Sequence, residues 1–397
     1  MRVRIRHSSA GDTDDTGSST LPLPLSDDAP IESVILKARN TIFDAELWQE
    51  INREIRSLAS YGVRADDDIV TYPLTPYKNM VIDLVPLGDS TPCSSQADDK
   101  IAEGICLALH LFLSIAHRQK HRRRTQIPPP ISNQKLMAPP YNLLRPLITR
   151  MNHQSAVDSV HKLFKPLCAA LASAKISPVP TYDVVSTQAA FTKGLSATEI
   201  VITSLTDRLE SVTTFKVTER TSIIIKSLTT MYAVCSTAHF ISLSPESPLN
   251  ITCKAPPHVN HWSKAEEYVL YATSCALASS FTQSVDQNYD AGSWEPTIAS
   301  DILRKPSADG ASGNGKQLLF QTEFMKGTAK LRVRWEHMSV IPGYGNNTPS
   351  SGNGAKKGEG MYEWKSSGIS SKKSDWEDGE GEVVRSLQDV LDEASRS

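Results

Sequence analysis

The sequence predicts an α+β fold in which long helices pack with short, mostly antiparallel strands, flanked by a disordered N-terminal linker and a C-terminal tail. Three observations predict it. Apolar side chains recur at three- and four-residue steps over long segments before residue 180, as on helix faces. From 199 to 243 the composition turns to Ile, Val, Thr and Phe in short runs, as in strands. Residues 7–30 and those after about 342 are rich in Ser, Gly, Asp, Asn, Pro and Lys and poor in large apolar groups. The chain has 397 residues, more than the roughly 250–300 at which one core stops growing. Four regions follow: a strand-like start and linker over 1–30, a mainly helical unit with a short strand pair over 31–180, a strand-rich unit with one capped helix over 181–341, and a low-complexity tail over 342–397.

The elements follow in chain order. Arg2, Val3, Arg4, Ile5 and Arg6 alternate as a strand does. Residues 31–61 are helical in pattern, with a change of face. Ile35, Ala38, Ile42 and Phe43 share one side; Leu47, Ile51, Ile55 and Leu58 share another, well over 90° away at about 100° per residue. Either the helix breaks near 40–44, with Asn40 or Asp44 as a cap, or one helix is wedged between two partners. In its second half Glu46, Gln49, Glu50, Arg53 and Arg56 oppose the apolar set, and Gly62 ends it. Residues 69–72 and 80–85 are short strands around Pro73 and Pro76.

The most hydrophobic stretch, 101–116, falls short of the roughly 20 residues of a membrane span and carries Glu103 and His110, so it predicts a buried core helix. Val157, Val160, Phe164, Leu167 and Leu171 form one stripe of the next helix. Pro166 predicts a kink or a new start near Lys165. Strands follow at 199–205, 211–217, 221–228 and 238–244. Ser263 and Glu266 have capping-box spacing, ahead of an amphipathic helix with Val269, Leu270, Thr273, Leu277 and Phe281. Met325-Lys326-Gly327 separates two strands, and in the second Leu331, Val333 and Trp335 alternate with Lys330, Arg332 and Arg334, a basic row suited to a sheet edge or interface. Residues 382–394 predict a short helix with Val383, Leu387, Val390 and Leu391 on one side, too short to persist without a docking surface.

Charge and motifs exclude more than they nominate. Lys plus Arg number 42 and Asp plus Glu 44, so no global field draws the chain to nucleic acid or an anionic membrane. Six cysteines without a CxxC fit free thiols. No signal peptide is visible at the start. Residues 310–317, GASGNGKQ, nearly fit a phosphate loop, but Gln317 occupies the hydroxyl position and the following segment is strand-like. A nucleotide-hydrolysing enzyme using Lys316 is therefore a remote alternative. His117 and His121 have metal spacing amid Arg118, Lys120, Arg122, Arg123 and Arg124, which repel a cation. Lys120, His121, Arg122, Arg123 and Arg124 read instead as a solvated helix end, a nuclear import patch, or a nucleic-acid contact. Cys253, His258 and His261 lack a fourth zinc ligand. No residue is nominated as nucleophile or base, and no cofactor or metal is expected.

One segment carries a resemblance. Ala38-Arg39-Asn40, Ile42-Phe43, Glu46-Leu47, Glu50-Ile51, Arg53-Glu54 and Tyr61-Gly62-Val63, followed downstream by Tyr141-Asn142-Leu143-Leu144-Arg145-Pro146, resemble Mediator complex subunit 17, in particular a fungal form. The resemblance is strong over 34–64 and 141–171 and looser elsewhere to about 340. It implies a non-enzymatic nuclear scaffold of the Mediator head module, a coregulator bridging activators and RNA polymerase II, with other head subunits as partners, no membrane and no direct nucleic-acid binding. Ala38, Arg39, Asn40, Phe43, Glu46, Leu47, Ile51 and Arg53 are the expected partner or core residues. The family carries a long helical segment upstream of this motif that the present sequence does not, which implies a fragment or an incomplete gene model.

Overall fold

The computed structural model describes residues 1–9, 12–21, 28–66, 68–75, 77–86, 96–125, 141–187, 200, 209–231, 235–285, 294–306, 315–338, 360–366, 371–372 and 385–396. The fold is α+β, and among the described residues there are three sheets, all antiparallel. The chain divides into two compact units: Met1–Asn152 with Gly194–Asp207 and Thr230–Cys235, and the remainder. The division lies at 152/153 and differs from the boundary expected at 180/181.

In the first unit the strands are β1 (Arg2–Ser9), β2 (Asp12–Ser18), β3 (Arg64–Asp66), β4 (Ile69–Thr75) and β5 (Lys78–Asp83). They form one sheet in the order β2-β1-β5-β4-β3. On β1, Val3 and Ile5 enter the core, and the intervening arginines pair on the other side. Arg2 meets Asp83 at 2.6 Å, Arg4 meets Asp15 at 2.9 Å and Asp83 at 3.2 Å, and Arg6 meets Asp15 at 3.0 Å. These pairs correct the linker expected over 7–30: residues 12–18 are a strand. The segment lacks apolar groups because its task is charge pairing across the strands. Gly17 is required there, since a Cβ would lie 2.4 Å from the Asp98 carbonyl carbon. Pro73 is tolerated in β4 because β3 pairs only with 69–71, so no ladder bond is lost at 73 on that side.

Three helices cover this sheet: α1 (Ile31–Ile55), α2 (Asp99–Thr125) and the start of α3 (Leu144–Ser173). The core takes Leu47, Ile51 and Ile55 of α1, Ala102, Ile105, Leu109, Phe112 and Leu113 of α2, and Leu144, Leu147 and Ile148 of α3. α1 is unbroken, so neither Asn40 nor Asp44 caps a second helix. α2 is less enclosed than its composition predicts. By length and composition 99–122 is long and apolar enough to cross a membrane, one third of that window is buried, and Leu107 is 72% exposed. α3 runs through Pro166 without a new start. Leu163, Phe164, Leu167, Ala170 and Leu171 are fully buried around it, and that packing offsets the lost backbone bond.

The second unit holds the rest of α3, a four-stranded sheet and a six-stranded sheet. The first is β6 (Thr181–Thr187), β7 (Leu209–Lys216), β8 (Ser222–Thr229) and β9 (Thr237–Leu243) in sequential order. The strands expected at 211–217, 221–228 and 238–244 are β7, β8 and β9; of the first expected strand, 199–205, only Ile200 is among the described residues, and it is helical. The helix α4 (Trp262–Val285) starts one residue before Ser263. Of its expected apolar face, Val269, Thr273, Leu277 and Phe281 are buried and Leu270 is half-buried, and burial extends to Ala272, Cys275, Ala276 and Ala278.

The larger sheet orders β10 (Glu295–Pro296), β11 (Ile302–Pro306), β12 (Gly315–Met325), β13 (Thr328–Met338), β14 (Gly360–Lys365) and β15 (Ser371–Lys372). The predicted hairpin closes with Lys326 (φ 51°) and Gly327 (φ 78°), the left-handed pair of a two-residue turn. β13 is interior, which corrects the edge or interface role expected of its basic row. Glu363 and Glu323 hold Arg332 at 2.5 and 2.8 Å, and Glu336 holds Arg334 at 3.0 Å. β14 lies inside the expected low-complexity tail because Tyr362 and Trp364 bury there. The last helix, α5 (Leu387–Arg396), packs Val390, Leu391 and Ala394 into the same core. Ser386 caps it: its Oγ accepts the Asp389 N–H at 3.2 Å, and the Asp389 carboxylate accepts the Ser386 N–H at 3.1 Å. Val383 lies outside the described residues.

Candidate functional site

The family-like segment is α1, and its two halves have different surroundings. From Leu47 onward one stripe, Leu47, Trp48, Ile51 and Ile55, is buried. A carboxylate, Glu54, sits on that same stripe. It accepts the backbone N–H groups of Leu143 at 2.7 Å, Leu144 at 2.8 Å and Arg145 at 3.1 Å. Those are donors that the start of α3 cannot satisfy internally, and the positive helix end favours the negative charge. Burial pushes the Glu54 carboxyl upward and outweighs the three N–H bonds and Arg145, which pull it down. The first matched stretch, 34–64, thus caps the helix that the second, 141–171, begins.

In the middle of α1 three residues lock onto α2. Phe43 stacks on His110, ring centres 5.7 Å apart, and meets His117 edge-on at 6.0 Å. His117 Nε2 lies 2.8 Å from Glu46 Oε1, and His110 Nε2 lies 2.7 Å from Asp44 Oδ1. Asp44 and the Cys106 groups raise the His110 pKa to about 10 against the opposing effect of burial. His110 is therefore a cation at neutral pH, donating Nδ1–H to the Cys106 carbonyl at 2.8 Å. Burial raises the Asp44 carboxyl, but His110 and the Met1 ammonium group pull it below its usual range.

The residues expected from the motif fall into two sets. Leu47 and Ile51 are core, while Phe43 and Glu46 are partly buried clamps. Arg53 is exposed and bonds Glu50 at 3.1 Å. Ala38, Arg39 and Asn40 are exposed on the first half of α1. Sequence reasoning missed the role of Glu54, although an acidic residue on an otherwise apolar stripe was a visible signal.

The other candidates separate similarly. Arg118, Lys120, His121, Arg122 and Arg124 are exposed at the end of α2, with the Lys120 ammonium 5.8 Å from the Tyr141 ring centre; the side chain of Arg123 lies outside the described residues. His117 and His121 do not meet as a metal pair, since His117 faces Glu46. Of the phosphate-loop-like stretch, 310–314 lies outside the described residues, and Lys316 stands on β12 with its ammonium donating to the Ser395 carbonyl at 3.3 Å. Cys253 is buried, whereas His258 and His261 are exposed. Among the described residues no group of three or more His, Cys, Asp or Glu is placed to hold a metal.

Fold and surface together define a class: an α+β protein of two compact units, the first of which carries a capping carboxylate, a histidine clamp and a half-exposed helix. Residues 1–171 match the family model described as Subunit 17 of Mediator complex. The chain is 35% identical over 179 residues to Mediator of RNA polymerase II transcription subunit 17 of Coccidioides immitis, covering 44% of this chain and 25% of that one. With the Aspergillus terreus protein of the same name it shares 36% over 179 residues, 44% of this chain and 27% of that one. With that of Neosartorya fischeri the similarity extends to 339 residues at 25% identity, 81% of this chain and 52% of that one. The chain thus spans between a quarter and about half the length of these relatives. The Schizosaccharomyces pombe Mediator head module contains a chain aligned at TM-score 0.46 and 17% identity, over 68% of this chain and 57% of that one. The resemblance to fungal Mediator subunit 17, first visible at 34–64 and 141–171, is borne out.

Proposed function

We propose that this chain is a non-enzymatic scaffold subunit of the Mediator head module, acting in the nucleus as a coregulator that links activators to RNA polymerase II. The observation that carries the reading is the family match over 1–171. Within it the two strongly similar stretches form one device, with Glu54 capping α3. Its partners are other head subunits and, through the complex, the polymerase machinery. Affinity purification of the tagged chain from nuclear extract tests this by mass spectrometry. Recovery of head-module subunits in stoichiometric amounts is the expected result; their absence overturns the reading.

A second, compatible role belongs to the end of α2. Exposure of Lys120, His121, Arg122 and Arg124 favours an import patch read by an acidic receptor groove. Replacing Lys120, Arg122, Arg123 and Arg124 with Ala in a fluorescent fusion is expected to shift the chain to the cytoplasm. Unchanged nuclear accumulation removes this role. Direct nucleic-acid binding is not part of the proposal: the net charge is −2, and a salt-steep affinity for duplex or single strands would contradict it.

A further inference from the structure

α2 ends in three consecutive arginines and a threonine, Arg122-Arg123-Arg124-Thr125. Thr125 is exposed, and so are His121, Arg122 and Arg124 beside it. Its hydroxyl donates to the carbonyls of His121 at 3.2 Å and Arg122 at 3.0 Å. Those carbonyls belong to the last turn, where the helix has no further N–H to offer them. A terminal turn opens at little cost, so the hydroxyl is within reach of an enzyme that takes its substrate as an extended chain.

We propose that Thr125 is the phosphate acceptor of a basophilic protein kinase, and that its phosphate switches off the basic end of α2. The kinase class follows from the chemistry of recognition. An acidic substrate groove reads cations ahead of the acceptor by charge-assisted hydrogen bonds, and here arginines stand one, two and three residues before it. In the reaction the threonine oxygen attacks the γ-phosphorus of ATP, the bond from that phosphorus to the bridging oxygen breaks, ADP leaves, and the hydroxyl proton passes through the kinase base to solvent. The consequence follows from charge. A phosphothreonine carries about 1.5–2 negative charges at pH 7, set against the cations of Lys120, Arg122, Arg123 and Arg124. The phosphate can no longer donate to the two carbonyls, and the negative end of the helix repels it. It turns instead to Arg122 and His121, three and four residues earlier and neighbours on the helix face. A guanidinium held by phosphate is lost to an acidic receptor groove. What the switch controls rests on the import reading of this patch; the acceptor itself does not.

The full chain is incubated with ATP and the catalytic subunit of cyclic-AMP-dependent protein kinase, and the phosphate is placed by fragmentation mass spectrometry. Thr125 is expected to be occupied, and Thr125→Ser to remain an acceptor. Replacing Arg122 and Arg123 with Ala is expected to slow the reaction about tenfold, as the loss of one hydrogen bond to a charged group does. The phosphorylated chain is then titrated with a fluorescent polyglutamate peptide, which stands in for an acidic groove. Its affinity is expected to fall severalfold, with no fall in Thr125→Ala treated the same way, the control for phosphate elsewhere. No phosphate at Thr125, a rate indifferent to the arginines, or undiminished polyglutamate binding overturns the proposal. If the chain with Lys120, Arg122, Arg123 and Arg124 replaced by Ala stays nuclear while phosphate on Thr125 still weakens polyglutamate binding, the import reading fails and the switch stands. If that chain leaves the nucleus, a Thr125→Glu fusion is expected to follow it and a Thr125→Gln fusion to stay. Equal placement of those two fusions then overturns the switch and leaves the import reading standing.

Discussion

Residues 31–42 and 47–58, the first half of α1 and its second half with the turn that follows, have similar apolar content and opposite fates. Leu47, Ile51 and Leu58 are fully buried, whereas Ile31, Ile35 and Ile42 face solvent. Helix propensity does not separate them, since Ile, Leu and charged residues occur in both. What separates them is phase: the two stripes lie on opposite sides, and only one side meets the sheet. The lesson is that an apolar stripe states that something covers it without stating whether that cover is intramolecular.

Substitutions sharpen the contrast, from the largest effect to the smallest. Glu54→Ala strands three backbone N–H groups at the start of α3 and is expected to cost about 3–5 kcal/mol, as when one partner of a buried polar set is removed. Urea unfolding read by protection of the α3 amides measures it. Leu47→Ala, at a site with no exposure, is expected to cost about 3 kcal/mol, and Phe43→Ala about half as much because its ring is only partly buried. Equal costs for the two would break the assignment of Leu47 to the core and Phe43 to the clamp.

The histidine clamp adds a pH signature. The folded His110 pKa is raised to about 10, above its usual 6.5. Its contribution is therefore complete below about pH 6.5 and is lost as pH climbs through about 10. The melting temperature is expected to fall between pH 7 and 10, and the fall to be shallower in His110→Gln. Using His110→Gln keeps the Met1 ammonium group, which also meets Asp44 at 2.8 Å, constant between the two proteins. At the small end, Ile35→Asp is expected to change the stability of the isolated chain by no more than about 0.5 kcal/mol, as exposed sites do. A larger loss on thermal melting would mean that this half is covered by its own chain.

Much of the architecture was legible because it depends on short-range pattern. The alternation of Arg2 to Arg6, the strands β7, β8 and β9, the two-residue turn at Lys326-Gly327 and the stripe of α3 follow from period and turn chemistry. Misreadings arose where a distant partner decides. Residues 12–18 have the composition of a linker, yet Asp15 is held by Arg4 and Arg6. The tail hides Tyr362 and Trp364, whose burial depends on β13. Pro166 argues locally against a continuous helix, and surrounding core packing prevails. The basic row of β13 suits an edge by itself and is neutralised by Glu323, Glu336 and Glu363.

By itself the sequence determined the α+β class, most element positions, the two-faced character of 31–61 and the likeness to Mediator subunit 17, because these are written in composition, period and short motifs. Only the tertiary structure decided that α1 is unbroken, that its second stripe is covered and its first is not, and that Glu54 reaches the start of α3. The reason is geometric. Period assigns a residue to a face, but burial and capping require atoms that arrive from about 90 positions away.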